Sequence, residues 1–173
     1  MKDLFVTWDE YHRHIERLSL AIHESGWHFD SLLCIARGGL RVGDILSRIY
    51  DMPLAILAAS SYRAAAGRSQ GALDIGEYIT MTQGTLQGNL LLVDDLVDSG
   101  VTLGRVIDHL KQRFPAVHSI RTGVLWYKAC STFVPDYYVE HLPTNPWIHQ
   151  PFEVYDAMGP EKLAARLRSG ASG

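Results

Sequence analysis

Apolar and polar positions recur along this chain with two different periods, and the changes of period mark its elements. Across residues 8–25, after Thr7 as a capping residue, Tyr11, Ile15, Leu18 and Ile22 return at helical spacing with charges between them, and Gly26 stops the run. An amphipathic helix is predicted there. Ser31–Ala36 (SLLCIA) is an almost unbroken apolar run, the pattern of a strand covered on both faces. Residues 38–50 read as a turn into a helix, and residues 54–59 as a second buried strand. Residues 60–76 are rich in Ala, Gly, Ser, Arg and Gln, too long and too polar for a simple connection, so a lid or a partly disordered segment is expected. A weakly alternating strand, 78–82, returns from it. Residues 90–93 predict the central strand, 101–114 a helix, 120–126 a further strand and 137–139 a last short one. Residues 143–152 break regular structure, and after Gly159 a helical KLAARLR and a small-residue tail lie outside any motif.

Strands alternating with helices in this order predict an α/β fold, a doubly wound and mostly parallel sheet with its site along the carboxyl ends of the strands. The 173 residues suit a single domain with a real core. A formal net charge of −3 gives no electrostatic footprint for nucleic acid, so no such partner is expected. No window has the apolar length of a membrane span, and MKDLFVTWDE lacks the uncharged core of an export signal, so an uncleaved cytoplasmic protein is expected. Cys34 and Cys130 accompany apolar runs at a spacing unlike a metal knuckle or a disulfide framework, and both are expected as buried, unpaired thiols. His12 and His14 do not share a helix face and are expected as solvated surface.

The segment richest in chemistry is residues 89–102, NLLLVDDLVDSGVT. A buried parallel strand delivers Asp94 and Asp95 to its carboxyl end. Asp98 follows, and a Ser-Gly-x-Thr turn then opens a helix, aiming backbone N–H groups at an anion. Neighbouring acids in a strand point to opposite faces, but at its end one or both can turn toward a ligand. Asp98, Ser99, Gly100, Val101 and Thr102 together form a phosphate-type loop in which Gly100 leaves room for close approach. Taken singly these residues have simpler readings, an acid or Ser99 capping the helix and another acid merely solvated. Taken together they describe a site for hydroxyls or a cation beside a phosphate. Upstream, Ala36-Arg37-Gly38-Gly39-Leu40-Arg41 follows the first core strand; alone, its glycines need only turn the chain and Arg37 need only be a surface charge. GGLRVG lacks the G-x-G-x-x-G spacing of a dinucleotide-binding dehydrogenase. A phosphohydrolase with Asp94 as nucleophile is a further alternative, though the turn after Asp98 fits phosphate cradling better.

DDLVDSGVT resembles the signature of the phosphoribosyltransferases, and Asp98 is typical of their 6-oxopurine branch. WIHQPFE, residues 147–153, resembles the base-binding segment of the bacterial xanthine-guanine phosphoribosyltransferases. The resemblance covers approximately residues 32–153. It implies one domain of the type I phosphoribosyltransferase fold: a Rossmann-like core at about 26–127, a small hood at about 128–158 with an N-terminal contribution, a mobile lid loop and a C-terminal tail at 159–173. The activity implied is transfer of the 5-phosphoribosyl group from phosphoribosyl pyrophosphate to guanine, xanthine or hypoxanthine, with release of pyrophosphate. Mg²⁺ is the implied cofactor, held by Asp95 and Asp94, which also take the ribose hydroxyls. Residues 98–102 would receive the 5′-phosphate. Arg37 and the Gly38 amide would hold pyrophosphate, after a peptide bond that is often cis in the family.

The same resemblance implies a catalytic set of Asp98, Arg37 and Arg68. Asp98 would lie by the imidazole edge of the base and handle its proton as the glycosidic bond forms. Ser61, Tyr62 and Arg68 would belong to the lid that excludes water, with Arg68 reaching the pyrophosphate. Lys128 would donate to the 6-oxo group, Trp147 would stack on the purine, the Ile148 backbone would read its edge, and Glu153 keeps an acid at the end of the segment. His149 stands where relatives can carry an acid, which bears on the 2-position, the one place where the three bases differ. A homo-oligomer, dimer or tetramer, is expected. The alternative from another class is a regulatory relative that senses nucleotide and binds nucleic acid or protein; retention of Asp98, Lys128 and Trp147 argues for catalysis.

Overall fold

The computed structural model describes residues 3–61, 73–81 and 83–170. In chain order the elements are β1 (Leu4–Phe5), α1 (Trp8–Glu24), β2 (Ser31–Ala36), α2 (Leu40–Ile49), β3 (Leu54–Ser61), β4 (Leu73–Met81), β5 (Gly88–Val93), β6 (Leu96–Val97), α3 (Val101–Arg113), β7 (Val117–Lys128), β8 (Tyr137–Leu142), β9 (Ile148–His149) and α4 (Pro160–Gly170). Two compact units divide the chain, His14–Asn145 and a smaller one made of Met1–Arg13 with Pro146–Gly173.

In the larger unit a mixed sheet runs β4-β3-β2-β5-β7, with β6 and β8 also paired to β7, and every pairing is parallel except the antiparallel β3–β4. Register assigns the faces. Leu33 pairs with Ala55 and with Leu92, and Ile35 with Leu57; these join Leu103, Val106 and Leu110 of α3 in one buried cluster. Cys34 and Val93, one residue on, point the other way. On that side a Cβ added to Gly43 of α2 would stand 2.7 Å from Cys34 Cβ, so the helix lies almost on the strand backbone. Leu18 of α1 and Val93 both approach to 3.6 Å of where a Gly123 Cβ would be. Helices thus cover both faces, which is why the core strands read as unbroken apolar runs.

Helix α1 follows its predicted spacing, with Tyr11, Ile15, Leu18 and Ile22 fully buried. Thr7 and Glu10 cap it reciprocally: Glu10 N–H donates to Thr7 Oγ1 (3.2 Å) and Thr7 N–H to Glu10 Oε2 (2.8 Å). In the smaller unit β1 pairs in parallel with β9, Leu4 opposite Ile148 and Phe5 opposite His149.

Several expectations need correction. Residues 60–76 are not one loop, since Ser60 and Ser61 pair with Asp74 and Leu73; β4 is an antiparallel edge strand, and such a strand does not need the apolar run that signals a buried one. Tyr62, Arg68 and Thr82 lie outside the described residues. Cys34 is buried but Cys130 is exposed, because it lies in the turn after β7 instead of continuing the strand. His12 is exposed, whereas the His14 ring sits 4.9 Å from that of Trp126, with Nε2 3.5 Å from Glu140 Oε2. Strand β8 runs on to Leu142 and keeps that stretch with the sheet. Among the described residues, no helix is long and apolar enough to cross a membrane.

Candidate active site

Parallel pairing of β2 with β5 sets Cys34 beside Val93, so the two loops that leave these strands meet. One is Ala36-Arg37-Gly38-Gly39, the other Asp94-Asp95. The Ala36–Arg37 peptide bond is cis, as the resemblance implies. A Cβ on Gly38 would collide with the Asp95 carboxylate, and one on Gly39 would stand 2.7 Å from the Val93 carbonyl oxygen and 3.0 Å from Asp94 Cα. The glycine pair is what lets a backbone loop lie directly against the acids, bringing together segments more than 50 residues apart in sequence. Arg37 is exposed at the rim.

The acids follow the carboxyl end of β5, as expected, and there they occupy an interruption of the pairing with β7. Asp94 N–H donates to the Gly123 carbonyl (3.2 Å), the Asp95 carbonyl accepts from Leu125 N–H (3.1 Å), and β6 then rejoins β7 at Trp126 and Tyr127. Asp94 Oδ1 accepts the Asp95 N–H at 2.9 Å. Burial first, and then the Asp95 charge, raise the Asp94 carboxyl well above the usual carboxylate range, against the pull of the Asp95 and Gly39 amides. A carboxyl raised in this way favours the folded chain at pH below the unfolded value of 3.8, and that advantage disappears as pH climbs through the folded value. Asp94→Asn is therefore expected to raise the thermal midpoint of the unliganded protein at pH 8 and to leave it nearly unchanged at pH 4, which scanning calorimetry at the two pH values would check. A destabilising ionisable group kept in the fold is the mark of a binding position.

Downstream, Gly100 at the N-cap of α3 has φ of +84°, and no side chain caps the helix there. Val101 N–H has only a long 3.4 Å contact with Ser99 Oγ, so the first-turn amides point outward for an anion. Asp98 and Ser99 are exposed, and neither is the N-cap. Gly100 has a duty inside the fold as well. The space its Cβ would fill is taken by this chain, with Phe133 Cβ at 2.6 Å and Ser131 Oγ at 2.8 Å, so the glycine serves positive φ and tight loop packing.

Those contacts come from Ser131 and Phe133, in a loop that no local pattern marks as part of a site. Thr132 donates to the Ser99 carbonyl through both its N–H (3.0 Å) and its Oγ1 (3.1 Å), and Cys130 Sγ lies 3.5 Å from Asp98 Oδ1. The loop is anchored in turn by Asn145 Oδ1, which accepts the Cys130 N–H at 3.0 Å. The signal in the sequence is the small-residue string Ala-Cys-Ser-Thr directly after Lys128, which only tertiary contact makes meaningful.

Lys128 ends β7 in a buried position, its side chain 7% exposed, with Nζ 3.4 Å from Oδ1 of the 57%-exposed Asp98. A buried ammonium whose carboxylate partner faces solvent is an unusual pair, because burial penalises the charge and an open partner is screened. It leaves a cation with three donors and an accessible acid side by side at the mouth of the loop.

In the smaller unit, Trp147 is 47% exposed and Ile148 is buried. The Trp147 carbonyl accepts the Leu4 N–H (2.9 Å) and the His149 carbonyl the Val6 N–H (3.0 Å), so strand β1 fixes the backbone of this segment. Glu153 opens a short 3-10 turn, its N–H donating to the Gln150 carbonyl at 3.0 Å.

Among the described residues no group of three or more His, Cys, Asp or Glu side chains is placed to hold a metal ion. Asp94 and Asp95 offer two carboxylates. That donor set fits a hard cation whose remaining ligands are substrate oxygens and waters, the habit of Mg²⁺.

Residues 7–157 match the family model of the phosphoribosyl transferase domain. A xanthine-guanine phosphoribosyltransferase of Idiomarina loihiensis is 27% identical over 155 residues, which are 89% of this chain and 89% of that one. The crystal structure of a purine phosphoribosyltransferase from Pyrococcus horikoshii is similar with a TM-score of 0.72 and 30% identity, over 88% of this chain and 94% of its own. A xanthine-guanine-hypoxanthine phosphoribosyltransferase of Helicobacter pylori shares the fold with a TM-score of 0.75 at 23% identity, over 95% and 99% of the two chains.

Proposed function

Because this chain belongs to the family of phosphoribosyl transferase domains, we propose that it moves the 5-phosphoribosyl group from phosphoribosyl pyrophosphate to a 6-oxopurine, guanine, xanthine or hypoxanthine. The observation that carries this reading is the Lys128–Asp98 pair, 3.4 Å apart at the mouth of the uncapped α3 turn. A 6-oxopurine presents an exocyclic oxygen beside its imidazole ring. An ammonium suits the oxygen and a carboxylate suits the ring proton, so the pair matches that edge as it would not match an adenine.

In this reading residues 98–102 take the 5′-phosphate and Arg37 with the Gly38 amide takes the pyrophosphate. The base nitrogen bonds to ribose C1′ as the bond from C1′ to pyrophosphate breaks, and Asp98 receives the imidazole proton. Trp147 stacks on the base, the Ile148 backbone reads its edge, and Glu153 supplies an acid at the end of the segment. Ser61, Tyr62 and Arg68 are assigned to exclusion of water and to the leaving group. Asp95 and Asp94 would hold Mg²⁺, which would supply positive charge opposite the pyrophosphate. The Ser-Gly-x-Thr turn directly after Asp98 suits phosphate cradling better than it suits a phosphohydrolase with Asp94 as nucleophile.

Product analysis tests the reading. The protein is incubated with Mg²⁺, phosphoribosyl pyrophosphate and one free base at a time, and nucleotides are separated by chromatography. Nucleoside monophosphates from 6-oxopurines and none from adenine or orotate are expected. A protein that retains RNA or DNA on a filter and forms no nucleotide would instead be the regulatory relative.

A further inference from the structure

One connection between the turn that carries Asp98 and the loop after β7 has no part in the chemistry proposed above. Thr132 donates to the Ser99 carbonyl twice, through its N–H at 3.0 Å and through its Oγ1 at 3.1 Å. That carbonyl belongs to the Ser99–Gly100 peptide, a trans unit whose N–H points the opposite way in the same plane. Gly100 has φ of +84°, and glycine tolerates either sign of φ, so this is the peptide of the turn that flips with least resistance. A flip would reverse the Gly100 N–H. Two donors on one carbonyl, matching its two lone pairs, oppose it. They come from a loop that is itself fixed: Ser131 Oγ donates to the Phe133 carbonyl (2.6 Å) and accepts the Phe133 N–H (3.1 Å), and the Ser131 N–H donates to the Lys128 carbonyl (3.0 Å). All of these residues lie in the larger unit.

We propose that Thr132 is a positioning residue for the 5′-phosphate: by holding the Ser99 carbonyl it fixes the direction of the Gly100 N–H and of the α3 amides that follow. The inference rests on the transferase reading above and deepens it. An anion gains most from amides that are aimed before it arrives, because binding then has no loop to order. The share of the hydroxyl can be separated from that of the backbone N–H. Thr132 is exposed, so removing Oγ1 leaves no polar atom stranded in the core. A residue more than 30 positions downstream of the phosphate turn thereby becomes part of its geometry.

The test measures the dissociation constants of inosine and inosine 5′-monophosphate by calorimetry for the wild type, Thr132→Val and Thr132→Ser. The two ligands differ only in the 5′-phosphate, so the ratio of their affinities isolates that group from base and ribose. Valine keeps the shape and the backbone donor and removes the hydroxyl; serine keeps the hydroxyl. The preference for the monophosphate is expected to fall roughly three- to tenfold in Thr132→Val, the scale of one lost hydrogen bond, and to stay within about twofold of wild type in Thr132→Ser. Thr132→Ala carries the same expectation as Thr132→Val and takes its place if the valine variant fails to fold. An unchanged preference without the hydroxyl, equal loss on both ligands, or a serine variant as weak as the valine one overturns the inference while leaving the transferase reading intact. A wild type that binds the monophosphate no better than the nucleoside overturns the transferase reading and this inference with it.

Discussion

Asp98→Asn is expected to lower kcat with every 6-oxopurine by on the order of 10²-fold or more, the scale of a lost general acid–base step, with far smaller changes in either KM. The amide preserves shape but has neither the charge nor the basicity to take the imidazole proton. Stability is not expected to follow activity. Asp98 is 57% exposed and meets Lys128 at 3.4 Å, so the ion pair is screened on one side and contributes little to folding. The variant should therefore unfold within a few degrees of wild type, and steady-state kinetics beside a thermal melt separates the two effects. Near-normal turnover would remove Asp98 from the chemistry, whereas a large fall in melting temperature would recast it as the structural counter-ion of Lys128.

Trp147→Ala is expected to raise the KM for the base roughly ten- to a hundredfold, the equivalent of the ~1–3 kcal/mol that a base gains by stacking on an aromatic ring. Phosphoribosyl pyrophosphate does not present a purine, so its KM should hardly move. The size of the exposed surface decides between this role and a packing role. Trp147 is 47% exposed, whereas Trp126 is fully buried, and truncating the latter would cost several kcal/mol of core energy. Equal weakening of both substrates, or marked loss of stability, would place Trp147 with the core.

These two predictions concern residues that the sequence singles out, and it is instructive why it finds them and misses their supports. The core strands and helices are legible because burial imposes a period: SLLCIA has no polar interruption because both faces are covered, and Tyr11, Ile15, Leu18 and Ile22 return at helical spacing because one face is. Asp94, Asp95 and Asp98 are legible because they follow such a strand directly. The two-residue strands β1, β6 and β9 are too short to carry any period, and β1 and β9 exist only through pairing across the length of the chain. The N-terminal half of β4 is hidden for another reason. It lies at a sheet edge, where burial does not demand an apolar run.

The environments of Cys130, His14 and Gly100 are not legible in their local strings, because each is set by a distant segment. Cys130 borders Asp98 in the turn after β7, His14 packs on Trp126 and Glu140, and Gly100 yields to Phe133 and Ser131. The same holds for His149, whose contacts with Asp3 and Phe5 join the two ends of the chain. Local sequence identifies which groups carry chemistry; non-local packing decides how firmly each is held.

Residues 94–102 and Lys128 are proposed to transfer a phosphoribosyl group together to a 6-oxopurine. The most direct measurement follows pyrophosphate and nucleotide together when purified protein meets Mg²⁺, phosphoribosyl pyrophosphate and guanine or hypoxanthine. Both products are expected at the same rate, and only when base and phosphoribosyl pyrophosphate are both present. Pyrophosphate released without nucleotide, or no turnover of either substrate by a folded protein that binds both, would contradict it.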